Sequence, residues 1–137
     1  MYSMEELKTW WEVPAIAHFF SLFKSCFSLT DFTIEELEEC LLTDGEDDKS
    51  TIFTSRLLTQ LLQGCYSNPN ISVTTYHDTL LHIMKKRWEE EDGRVNPLSS
   101  ANADFHSLPT MLKVQIIHRL TEYRLDANVS VFVLVLC

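Results

Sequence analysis

Trp10-Trp11-Glu12-Val13-Pro14-Ala15-Ile16-Ala17-His18-Phe19-Phe20 runs on through Phe23 to Cys26-Phe27, and its reading decides the fold. Ile16, Phe19, Phe20, Phe23, Cys26 and Phe27 recur at steps of three and four residues, which places them on one broad helical face. Pro14 suits the first turn of that helix, where a missing N–H leaves no bond unmade. The same proline disfavours helical backbone in the residue before it, so a short preceding helix is expected to end near Val13. An aromatic face this large needs other helices to cover it.

Those helices can be read on the C-terminal side and just before it. Ser3-Met4-Glu5-Glu6 and Thr33-Ile34-Glu35-Glu36 carry the hydroxyl–glutamate spacing of a capping box, so helices should begin near residues 4 and 34. Residues 51–65 read as a longer helix burying Phe53, Leu57, Leu58, Leu61 and Leu62, with Gly64 near its end and Asn68-Pro69-Asn70 as the turn beyond. Thr74 or Thr75 caps a helix to about Asp92, with Tyr76, Leu80, Ile83, Met84 and Trp88 inward and Gly93 as the stop. Residues 94–107 read as a loop, and a last helix from about Pro109 presents Leu112, Ile116, Ile117, Leu120 and Tyr123. The expectation is an all-α, orthogonally packed bundle of about five helices, a single domain over residues 1–127. Residues 44–48 should be a charged loop and the most mobile internal segment. The remaining residues, 128–137, are apolar and β-branched, a divergent tail that reads as a replaced end, poorly ordered or weakly helical and prone to aggregation if exposed.

Charge and cysteines narrow the class. The net charge of the 137 residues is -9, yet residues 1–48 alone carry twelve acids against two Lys/Arg. Such an acidic half repels phosphate backbones and suits a basic protein partner. Cys26, Cys40, Cys65 and Cys137 form no Cys-x-x-Cys pair, and Glu5, Glu6 and Lys8 interrupt any secretory leader, so reduced intracellular thiols are expected. No apolar run approaches the ~20 residues of a membrane span. His77 and His82 lie five apart and leave a common helix face, so no metal site is expected. Nor is any cofactor or small-molecule substrate, since three glycines leave little material for a phosphate loop. No cysteine sits in a glycine-flanked turn, and the expectation is that the chain is not an enzyme.

Trp10-Trp11 through Phe19, Leu61-Leu62-Gln63-Gly64-Cys65-Tyr66 and His118-Arg119-Leu120 through Tyr123-Arg124-Leu125-Asp126-Ala127 together resemble the N-terminal DDT-type region of ISWI remodeller accessory subunits of the cat eye syndrome critical region type. The resemblance covers residues 7–127. It implies a non-catalytic regulatory or scaffold subunit in the nucleus, docking on an ISWI-family ATPase, with a bromodomain further along a much longer chain. It also implies a rival, since DDT-type regions have been regarded as contacting linker DNA; a truncated isoform of low function is a third reading.

Candidate partner-binding residues are Trp10, Trp11, Glu12, Arg119, Tyr123 and Arg124. Adjacent helical positions point about 100° apart, so one indole should help close the core while the other stays outside as an anchor. Lys85-Lys86-Arg87 is followed by Glu89, Glu90 and Glu91, three i, i+4 pairs that would neutralise it. Lys113, His118, Arg119 and Arg124 have only Glu122 and Asp126 as near acids in sequence, which makes them the better candidate for an acidic surface or for DNA, a contact expected to be weak or indirect.

Overall fold

Each helix of the computed structural model, which describes residues 3–100 and 103–127, starts or stops at an identifiable local signal. Helix α1 spans Met4–Lys8, where the Ser3 hydroxyl accepts from the Glu6 N–H at 3.2 Å. It stops well short of Val13. The Thr9 hydroxyl donates to the Glu6 carbonyl at 2.6 Å and closes the turn, the competition with backbone bonding that short hydroxyl side chains offer. Helix α2, Glu12–Phe27, therefore begins before Pro14 and includes Val13, whose complete burial outweighs the local preference that proline imposes. Ser28 ends α2 in the left-handed region (φ 54°).

Helix α3, Ile34–Thr43, carries the full capping box: the Glu36 N–H donates to Thr33 Oγ1 at 3.2 Å and the Thr33 N–H to Glu36 Oε1 at 3.0 Å. Helix α4, Asp48–Cys65, starts three residues before the expected Thr51, because the Asp47 carboxylate accepts from the Ser50 N–H and so caps it. Helix α5, Tyr76–Ile83, continues without a break into a π-helical stretch, Met84–Glu91, and Gly93 (φ 68°) stops it as the sequence suggests. A 3₁₀ turn at Phe105–Ser107 precedes α6, Thr110–Ala127. The described residues thus hold six α-helices and no strand: the chain is all-α, and its helices fall on the segments read from the sequence.

The core is the α2 face and what covers it. Ile16, Phe19, Phe20 and Phe23 are buried, with Phe23 stacked on Phe27 at 5.1 Å between centroids. Helix α4 packs against α3, α5 and α6, α2 packs against α3 and α6, and α1 rests on α3. Leu57, Leu58, Leu61, Leu62, Leu80, Ile116, Ile117 and Leu120 are all fully buried, as their spacing predicts. Residues 94–107 contribute more than a loop would: Leu98 and Phe105 are core residues, and the Trp88 indole N–H donates to the Val95 carbonyl at 2.9 Å. The expected tail, residues 128–137, lies outside the described residues.

Candidate functional site

Three polar clusters stand out, and two of them serve the interior. The first buries Asp44, one end of the expected charged loop, whose other end, Asp48, opens α4. The Asp44 side chain is completely buried, 2.9 Å from Lys113 Nζ, itself only 3% exposed. Lys113 also donates to the Asp44 carbonyl at 3.1 Å, so Lys113 is no surface cation. His106 Nδ1 lies 2.9 Å from Asp44 Oδ1, while His106 Nε2 lies 2.8 Å from the Tyr76 hydroxyl and 3.1 Å from Ser55 Oγ. An ionised carboxylate only accepts, which places a proton on Nδ1. Ser55, His106 and Asp44 have the spacing of a nucleophile–base–acid relay. Ser55 is buried, however, Tyr76 is the nearer partner of the same nitrogen, and Lys113 neutralises Asp44. The cluster ties the α3–α4 corner to α4, α5 and α6.

The second cluster holds Tyr123 and Arg124, both of them buried. Tyr123 is 1% exposed, and its hydroxyl donates to Asp92 Oδ2. Arg119 grips the same carboxylate twice, from Nε at 2.9 Å and from Nη2 at 3.0 Å. These bonds, Arg119 first, hold the Asp92 carboxyl down at about 2, while burial opposes them. Burial and the bond to Asp92 raise the Tyr123 hydroxyl well above the usual phenol range. The guanidiniums of Arg87 and Arg119 each lie 4.4 Å from the Tyr123 ring centroid. Arg124 is buried, lies 4.4 Å from the Phe27 centroid and donates to the Gln60 carbonyl. It lies across Gly64, where a Cβ would run into the guanidinium. That close approach accounts for the glycine of the Leu61–Tyr66 motif.

The basic triplet behaves differently from its spacing as well. Arg87 meets Glu91 at 2.9 Å and Asp126 at 3.2 Å, but Glu89 accepts from Asn96. Among the described residues, Lys85 and Lys86 form no ion pair with Glu89 or Glu90. Of the three i, i+4 pairs that the spacing offered, Arg87–Glu91 alone forms, within the π-helical stretch.

The third cluster is open to solvent. Trp11 is 64% exposed, whereas Trp10 packs half-buried against the core, so one indole helps close the core and the other lies outside it. The Trp11 and His118 rings meet edge to face at 4.8 Å. Around them lies a groove of about 390 Å³ whose walls are Trp11 and Glu12 from the start of α2 and Gln115, His118, Arg119 and Glu122 from α6. Trp88 and Arg94 complete it, with the Arg94 guanidinium 4.5 Å from the Trp88 ring centroid. His118 Nδ1 lies 3.7 Å and Arg119 Nη1 3.4 Å from Glu122. Three predicted site residues, Trp11, Glu12 and Arg119, are thus brought together from opposite ends of the chain. Trp10, Tyr123 and Arg124 are not at this surface. Trp88, Arg94 and Gln115 were not legible as site residues: Trp88 reads as a core position, Arg94 reaches the groove by folding back over the Trp88 ring, and Gln115 lies one turn before His118 and Arg119 on α6.

The thiols that can be described are quiet. Cys40 and Cys65 are free and partly buried, and burial pushes the Cys65 thiol up to about 12 despite Arg124 nearby. Among the described residues no helix is long and apolar enough to cross a membrane.

Comparison with known proteins finds a distant relation. Over 145 aligned positions covering 85% of the chain, it is 26% identical to a Homo sapiens protein described as uncharacterized bromodomain-containing protein 10. The chain spans 7% of that relative's length. No known family's profile matches the chain, and no solved structure does.

Proposed function

We propose that this chain is a non-catalytic regulatory or scaffold module of an ISWI-type chromatin-remodelling assembly, acting in the nucleus and docking on the ATPase subunit. The observation that carries this reading is the convergence of Trp11, Glu12 and Arg119 on one solvent-open groove. An exposed tryptophan at a groove between two helices is the kind of anchor that dominates protein interfaces. Two further points support it. The chain is related along most of its length to a protein that carries a bromodomain, the companion domain that the sequence resemblance implies. Of the cations of α6 that would have favoured DNA, Lys113 and Arg124 are buried and Arg119 is paired with Asp92 at the groove, which weakens the rival reading.

The deciding experiment measures binding of the chain to an ISWI ATPase and to naked duplex DNA in parallel at physiological salt. Binding to the ATPase with DNA affinity weaker than about micromolar is the expected result, since non-specific DNA binding is itself only about 10⁻⁴ to 10⁻⁶ M. The reverse ranking would make this a DNA-contacting module.

A further inference from the structure

The groove beside Trp11 says more about its occupant than that it is a protein. We infer that it receives an arginine side chain from a basic segment of the partner; this rests on reading the groove as the docking surface. Trp11, with nearly two thirds of its surface exposed and its ring touched by His118 at one edge contact, keeps an open indole face. A guanidinium over an indole is the most favourable cation–π pairing a protein side chain offers. Beside that face stands Glu12, which makes no side-chain hydrogen bond or ion pair among the described residues and is left partly exposed with an unused carboxylate. A planar guanidinium can stack on the ring and turn two N–H groups toward one carboxylate together, which a lysine ammonium cannot do.

Charge decides the sign of the occupant. Glu12 and Glu122 line the groove with the guanidiniums of Arg94 and Arg119 and the His118 imidazole, Asp92 stands behind Arg119, and Glu12 is the lining charge left without a partner. Arg119 is engaged with Asp92 and Glu122, and Arg94 is laid flat on Trp88. With a net charge of -9 on the whole chain, the long-range field also draws in a cation. The groove volume of about 390 Å³ accommodates one long side chain and not a folded element.

The test titrates the full chain with a synthetic nine-residue peptide, one central arginine flanked by glycines and two lysines, following the tryptophan indole N–H resonances by NMR. The Trp11 resonance should move on saturation, and replacing the peptide arginine by lysine should weaken binding about fivefold. Trp11→Ala and Trp11→Leu should each weaken it about tenfold, the leucine showing that lost aromaticity and not lost bulk is responsible. Glu12→Gln should do likewise, with helical content by circular dichroism unchanged in all three because both side chains reach solvent. Equal affinity for arginine and lysine peptides, or tighter binding of the matched glutamate peptide, would overturn the inference. So would peptide binding indifferent to these variants. The same variants are then measured against the ISWI ATPase. ATPase binding that survives Trp11→Ala and Glu12→Gln sinks the groove as the docking point and leaves the subunit reading standing. Failure of the unaltered chain to bind any ISWI ATPase sinks that reading, while the arginine peptide still reports on the groove.

Discussion

Asp44 is the residue on which the interior charges depend. Removing its carboxylate leaves the Lys113 ammonium buried without a counter-ion and His106 Nδ1 without an acceptor. Asp44→Ala should therefore cost about 3–5 kcal/mol in urea unfolding. Replacing both partners, Asp44→Leu with Lys113→Met, should cost much less than the sum of the single changes, since no charge is then stranded. A second carboxylate makes stability depend on acid. Asp92 has its folded value depressed to about 2 from an ordinary 3.8, so its contribution is full above about pH 4 and is lost as pH falls toward 2. Asp92→Asn should remove about 1–3 kcal/mol, the range for charge-assisted hydrogen bonds, and flatten that part of the pH profile. Neither role was legible in the sequence. Asp44 stands in an acidic run beside Gly45 that reads as solvated, and nothing in local spacing points to a lysine 69 positions later.

The helices themselves were largely legible, because apolar period and capping chemistry are local signals. Phe23, at the centre of the α2 face with Phe19 at 5.2 Å and Phe27 at 5.1 Å, illustrates this. Phe23→Ala should cost about 3–5 kcal/mol, measured as a lowered thermal midpoint, and unchanged stability would mean the face was misread. The boundaries were less legible where a side chain takes a backbone partner, as Thr9 does at the Glu6 carbonyl and Asp47 at the Ser50 N–H. Ser28 is a different case: it holds a positive φ that glycine tolerates better, at the end of a long helix. Ser28→Gly should raise stability by up to about 1 kcal/mol and Ser28→Val should lower it, both read from denaturant midpoints. The π-helical form of residues 84–91 left no mark in composition.

For the molecule as a whole, the uneven charge distribution suggests how it meets a partner. Exposed acids such as Glu5, Glu35, Glu36 and Glu39 sit on α1 and α3, so association with a basic ATPase surface should weaken as salt rises, with screening over about 8 Å at physiological strength. Affinity that ignores salt would leave apolar docking as the cause. The six candidate residues show where whole-molecule reasoning from sequence runs out. Their grouping by motif was sound, but only tertiary packing separates Trp11, Glu12 and Arg119 at the groove from Tyr123 and Arg124 in the interior. One consequence of the buried Asp44–Lys113 pair concerns time and not energy. During synthesis Asp44 leaves the ribosome 69 residues before Lys113, and His106 arrives only shortly before it. Until α6 emerges, the corner between α3 and α4 holds a carboxylate that water must keep solvated, and the nascent chain cannot close over it. A chain arrested at residue 108 should accordingly be sensitive to protease throughout α1 to α4, and protection should appear in one step once residues 110–127 are free.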